Sequence, residues 1–188
     1  MYFIKSIPSY PIEIHRFCTK WTPIKKLMFS SLMAALAAIL QAAGGLVPGI
    51  GFFISPFTTA PILLVTLISI RTGTLTYLLT ILLLLLIEPS ELMIFPFTTG
   101  LLGLGLGLTF RVFNQRLAIL LTNGCLLMIG ICIPLYGLGF PVIGPTFSLS
   151  FNMPVTLMIL SFSIVYSWIW VEFGFYFLRK INGILRVV

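Results

Sequence analysis

Residues 27–47 read LMFSSLMAALAAILQAAGGLV. The stretch carries no charge, follows directly on Lys25 and Lys26, and runs into the helix breakers Gly44, Gly45, Pro48 and Gly49. Crossing about 30 Å of hydrocarbon takes about 20 helical residues, so a run of this length is a complete transmembrane crossing. Its apolar residues are continuous rather than alternating, which favours a helix over a barrel strand; only those two structures satisfy the backbone inside a bilayer.

The same pattern recurs down the chain. A second run extends from about Phe52 to Ile70, interrupted by Pro56 and Pro61 and closed by Arg71. A third, from about Thr72 to Ile87, is the most uniformly aliphatic and is terminated by Glu88 and Pro89. A fourth spans about Glu91 to Phe110, and a fifth about Leu117 to Tyr136, leading into an uncharged Gly- and Pro-rich connection from Gly137 to Asn152. The sixth, from about Met153 to Leu178, ends in a tail with Arg179, Lys180 and Arg186.

Hydrophobic residues make up 59% of the 188 positions and charged residues 8%, with a mean hydropathy of +1.15. Such a composition excludes a water-soluble fold. The expected fold is an all-α integral membrane protein with about six transmembrane helices in one bundle. A basic prefix (1–26) precedes the six-helix domain (27–178), and a basic tail (179–188) follows it. Lys5, Glu13, Arg16, Lys20, Lys25 and Lys26 all precede the first long apolar run, so that run is expected to be retained as a span rather than removed as a signal peptide.

The net charge of +7 arises from eleven Lys and Arg against four acidic residues, all Glu. In a soluble protein this balance would suggest nucleic acid; here the basic residues sit at span ends, where they act as topology determinants, and no nucleic-acid partner is expected. With the amino terminus in the cytoplasm and six spans, every Lys and Arg falls on the inner side, so both termini are expected to be cytoplasmic. Tyr10 and Trp21 suit a prefix at the membrane interface. Cys18, Cys125 and Cys132 are expected to serve as small packing residues.

Ala34, Ala38 and Ala42 recur every four residues and form one smooth ridge, suited to close packing inside the bundle or to docking a partner helix. Gly103 and Gly107, flanked by Gly100 and Gly105, give the fourth span a similar ridge, for tight packing or for bending. GLLGLGLG is not a nucleotide loop: it lacks the preceding strand of a dinucleotide fingerprint and the Lys followed by Ser or Thr of a phosphate loop.

Glu88 and Glu91 flank Pro89 and Ser90 at the outer end of spans three and four. A helix N-terminus stabilises a carboxylate there, and either residue could instead meet an amine-bearing ligand at an external mouth. With no basic residue outside, neutral or cationic small molecules are favoured over anions. Gln41, Asn123 and Asn152, with Tyr136 and the hydroxyls of Thr58, Thr59, Thr98 and Thr99, are the polar groups expected to line a pocket in the outer half, walled by Phe52, Phe53, Phe57 and Phe140. Each could equally bond helix to helix. Glu172 is expected to pair with Arg179 or Lys180 or to meet the inner interface.

The lone histidine, His15, and the absence of Asp leave no expected metal site, cofactor or catalytic constellation, and the chain is not expected to be an enzyme. No ATP-binding motif is present, so energy from ATP would come from another polypeptide.

The stretches SSLMAALAAILQAAGGLVPGIG (30–51) and FPFTTGLLGLGLGLTF (95–110) resemble the substrate-binding S components of energy-coupling factor vitamin transporters. They are similar also to a multi-span bacterial family related to S components, in which transport is not established. The first resemblance implies a multi-pass protein of the bacterial cell membrane that captures a vitamin or micronutrient from outside. It implies that Ala34 and Ala38, with Ala42 as an extension, dock on a transmembrane coupling subunit. Separate ATP-binding subunits would drive the chain to topple in the membrane lipid and release its ligand inward. The pocket would be capped by the loops around Pro48 to Pro56 and Gly137 to Pro154. A non-transport scaffold or assembly protein using the same ridges is the alternative.

Overall fold

The computed structural model describes residues 6–47, 49–140 and 153–185. Among these the chain is almost wholly helical, with a single isolated bridge between Ser6 and Gln115. A short helix α1 (Tyr10–Thr19) precedes α2 (Pro23–Leu46). A continuous rod α3 (Gly51–Ile68) and helix α4 (Ile70–Ile87) come next. They are followed by a 3-10 segment (Pro89–Met93), α5 (Thr99–Val112), α6 (Arg116–Cys132) and α7 (Met153–Leu185). Five of these helices, α2, α3, α4, α6 with its continuation to Gly137, and α7, are long and apolar enough to cross a membrane. The chain is an all-α membrane protein.

Local chemistry accounts for the element ends. Pro23 opens α2 at a position whose N–H needs no partner, and the Thr22 hydroxyl caps it by accepting from the Lys25 N–H. Lys25 and Lys26 therefore lie inside the first helical turn, a few residues earlier than the apolar run suggests. Within α3, the stretch Ser55–Thr58 tightens to 3-10 geometry, where Pro56 and Pro61 withdraw two backbone donors. The helix of the fourth expected span, α5, starts at Thr99 rather than Glu91. Pro96 cannot donate to a preceding turn, so residues 89–98 form a chain of tight turns instead. Its 14 residues make α5 shorter than the five helices long enough to cross a membrane.

Helix directions follow from the cross-contacts. Thr76 and Thr80 of α4 approach the carbonyls of Ser30 and Ala34 of α2, at 3.5 Å each, so α2 and α4 run parallel. Gly103 and Gly107 of α5 lie against Thr59 and Leu63 of α3, again in parallel. Since α3 turns into α4 through the single extended residue Ser69, the rods alternate up and down. Arg16, Lys20, Lys25, Lys26, Arg71, Arg111, Arg116, Arg179 and Lys180 consequently gather at one end, the basic end. Glu88 and Glu91 lie at the other, the acidic end.

Burial is inverted relative to a soluble protein. On α4, Gly73, Thr76 and Thr80 face inward while Leu75, Leu78, Leu82 and Leu86 face out. The outward stripe at helical spacing is what hydrocarbon solvates, and each inward threonine returns its hydroxyl to a carbonyl four residues back. The main core joins α3, α5, α6 and α7 through Leu63, Leu67, Leu106, Phe110 and Leu127, with Phe110 stacked on Phe175 at 4.8 Å.

Helix α1 docks across the basic end against α3, α5 and α7. Ile14 and Cys18 are buried in the core, and His15 Nδ1 donates to the carbonyls of Leu67 (3.0 Å) and Ile68 (3.1 Å). Those are orphan acceptors of the α3 C-terminus, which the imidazole caps. Asn182 of α7 donates to Glu13 at 2.9 Å. Burial pushes the Cys18 thiol up to about 11, with Lys26 opposing, so it packs rather than reacts. Glu172 pairs with Arg116 at 3.1 Å, not with Arg179 or Lys180. The α6 N-terminus reaches it across the basic end, whereas the two basic residues of its own helix lie beyond it.

The glycines separate by contact. A Cβ on Gly130 would collide with the Phe97 carbonyl, whereas one on Gly183 meets nothing within 4 Å. Gly130→Ala should therefore lose about 1–3 kcal/mol of stability, and Gly183→Ala should gain about 0.5–1 kcal/mol. Thermal unfolding of the two variants in one detergent measures both.

Candidate ligand-binding cavity

At the acidic end α2 finishes in Gly44 and Gly45, and the tight turns after α4 bring Glu88 and Glu91 against them. A Cβ on Gly44 would lie 2.7 Å from Glu91 Oε1, and one on Gly45 would lie 2.9 Å from the Glu88 carboxyl carbon. The glycine pair thus makes room for two carboxylates, of which only Glu91 turns inward. Glu91 is 5% exposed, while Glu88 is half-exposed and accepts from the Ser90 hydroxyl at 2.6 Å.

A buried polar chain continues from Glu91. Gln41, fully buried on α2, donates through Nε2 to Glu91 Oε2 at 2.7 Å. Its Oε1 accepts from the Thr99 hydroxyl at 2.7 Å, and the Thr59 hydroxyl donates to the Thr99 carbonyl at 3.2 Å. Both ends of the Gln41 amide are thereby satisfied, and α2, α3, α5 and the acidic segment are tied together.

Beside this chain lies a cavity of about 260 Å³. Glu91, Thr98, Thr99 and Ser55 give it polar groups; Phe52, Phe162 and Tyr166 give it aromatic walls; Leu127 and Ile131 of α6 are among its apolar lining. Phe162 and Tyr166, one turn apart on α7, stack at 5.5 Å. Mostly apolar walls with a few convergent polar groups are the usual form of a small-molecule site. Burial pushes the Glu91 carboxyl above the usual carboxylate range, the Gln41 amide opposes the shift, and Glu88 adds to it. Glu91 lies in the connection between helices, outside the spans.

The expected site residues divide. Glu91 lines the cavity, and Gln41 stands behind it as the partner that positions it. Glu88 and Tyr136 lie at the same end but outside the lining; Tyr136 Oη sits 3.4 Å from the Thr156 hydroxyl. Asn123 does not lie in the half of the bundle at the acidic end. Buried on α6, it donates to the Thr109 hydroxyl and the Ile119 carbonyl at 2.8 Å each, toward the basic end, where Gly105 admits it. Asn152 and Pro48 lie outside the described residues.

Docking through the alanine ridge is not supported. Ala34, Ala38 and Ala42 are 0%, 1% and 2% exposed. The ridge faces inward, where it serves packing within the chain, and presents no surface to a partner.

Ser55, Phe162 and Tyr166 are cavity residues that sequence reading missed. The spacing of Phe162 and Tyr166, four apart on the last span, was an available sign of a shared helical face. Ser55, between aromatic residues in FFISPF, was another. Among the described residues no three of His, Cys, Asp and Glu come together as a metal site.

Because the Glu91 carboxyl titrates high in the fold, its contribution favours the folded chain while protonated. That contribution is complete below the ordinary value of 4.5 and is lost as the pH rises through the folded value. The melting temperature should therefore carry a falling component above pH 4.5 that Glu91→Gln removes; an unchanged profile in the variant assigns it to another group. Gln41→Leu strands Glu91 and Thr99 together and should cost about 1–3 kcal/mol by the same melting measurement. Compared with known proteins, the chain matches no family model, no curated protein and no solved structure, so what the cavity is for has to be read from its own chemistry.

Proposed function

We propose that this chain is the ligand-binding membrane subunit of a vitamin- or micronutrient-type importer. In this scheme it crosses the bacterial cell membrane six times with both termini in the cytoplasm. The sixth crossing is α5, completed by residues 94–98 just before it, which leaves Glu91 in the connection outside the span. The gathering of basic residues at one end supports this orientation, since positive charge is retained on the cytoplasmic side. The acidic end then faces outside, and the cavity receives a small neutral or cationic compound from there.

One observation carries the proposal: a buried carboxylate, held by Gln41 and lining an aromatic-walled cavity of about 260 Å³ within a membrane bundle. An ionisable group at such a place is costly and calls for a functional explanation. A coupling subunit with separate ATPases would supply the driving energy. It would have to meet this chain elsewhere than on the alanine ridge.

Native mass spectrometry of the protein purified in mild detergent from its own host tests this directly. A stoichiometric small molecule, reduced in a Phe162→Ala variant, together with a copurifying membrane subunit and ATPases is the expected result. An empty chain with unrelated membrane partners would favour the scaffold. Orientation is checked separately with the three native cysteines replaced by alanine. A membrane-impermeant maleimide should label Ser90→Cys in intact cells and leave Gln115→Cys unlabelled until the membrane is opened.

A further inference from the structure

Among the described residues Glu91 is the one charged side chain lining the cavity, and none of their cations pairs with it. Residues 27–70, 72–110 and 117–178 contain no Lys, Arg or His. These ranges include the whole acidic end and the connection between α6 and α7. Among the described residues the one ion pair is Arg116 with Glu172, at the opposite end. Glu91 accepts a single described hydrogen bond, at Oε2 from a neutral amide. A buried carboxylate without a countercharge is costly, and a ligand that brings the charge recovers that cost. The walls suit the same ligand: the faces of Phe52, Phe162 and Tyr166 carry the negative side of an aromatic quadrupole, which attracts a cation. At about 260 Å³ the space is below the usual range of drug-sized pockets.

Resting on the binding role proposed above, we infer that the cavity selects a compact organic cation, an ammonium compound whose positive head sits against the Glu91 carboxylate among the aromatic rings. Thr98, Thr99 and Ser55 remain to bond a hydroxyl or carbonyl on the same ligand.

The probes are two permanent cations with their neutral isosteres: choline with 3,3-dimethylbutanol, and benzyltrimethylammonium with neopentylbenzene. Binding to the full chain in detergent is measured by titration calorimetry at neutral pH. At least one cation should bind more tightly than its isostere by roughly tenfold to a hundredfold, the scale of one charge-assisted contact. Glu91→Gln should abolish that preference, while Glu88→Gln should keep it.

Equal binding of cation and isostere, or a preference that survives Glu91→Gln, overturns the inference and leaves a ligand-binding cavity standing. Binding of none of the four overturns the binding role as well. Should Glu91→Gln fail to fold, acidification of the Glu88→Gln chain replaces it. Among the described residues the titratable groups near the carboxylate are Glu88 on its own segment and Tyr166 across the cavity on α7. The other lining helices present Ser55, Thr99 and Leu127, which do not titrate, and Gln41 behind them is neutral. The probes keep their charge, so cation preference should fade as Glu91 is protonated; preference retained in acid overturns the inference.

Discussion

Hydrocarbon offers no hydrogen bonds, and each polar group that enters the bundle must bring or find its partner there. This constraint organises the molecule from one end to the other. Threonines on α4 return their hydroxyls to their own helix while touching the carbonyls of α2. The α3 C-terminus, which would leave bare carbonyls at the basic end, receives the His15 imidazole. Gln41 places its donor on Glu91 and its acceptor on the Thr99 hydroxyl. In the last two cases a side chain from a distant part of the sequence closes a deficit that the local backbone or side chain creates.

Close approach of the helices makes these closures possible. Gly103 and Gly107 bring the α5 backbone against α3, and Gly44 and Gly45 admit two carboxylates beside the end of α2. The alanines of α2 serve the same purpose along the inner face of that helix. Small residues here are thus consumed by the protein's own packing, and the exposed surface is left to large aliphatic groups suited to lipid.

Helical, membrane-embedded character could be read from residues 27–47 and the runs that follow, because hydrophobic length alone decides it. The crossing of α4 was placed almost to the residue, since Arg71 and the Glu88–Pro89 pair bracket it. Near Pro96 the reading failed: apolar character continues through residues 91–98, but a missing backbone donor prevents a helix there. The candidate site was legible residue by residue but not as an assembly. Gln41 and Glu91 were both singled out, yet their pairing across fifty positions depends on how α2 and the acidic segment pack. Asn123 was misplaced for the same reason, because depth along a helix follows from its end points and not from side-chain chemistry. The alanine ridge has a pattern that suits either an internal or an external partner, and only burial distinguishes them.

Helix α1 leaves the ribosome before the spans, yet its contacts are with the last turn of α3, with α5 and with the far end of α7, where Asn182 meets Glu13. None of these exists when α1 is made, and the last appears only once α7 has been made. Closure of the basic end is therefore a post-insertional event: the spans must already be side by side before the first helix has anywhere to bind. The α1 helix acts as a seal on an assembled bundle, and its docked state reports that α3, α5 and α7 have come together.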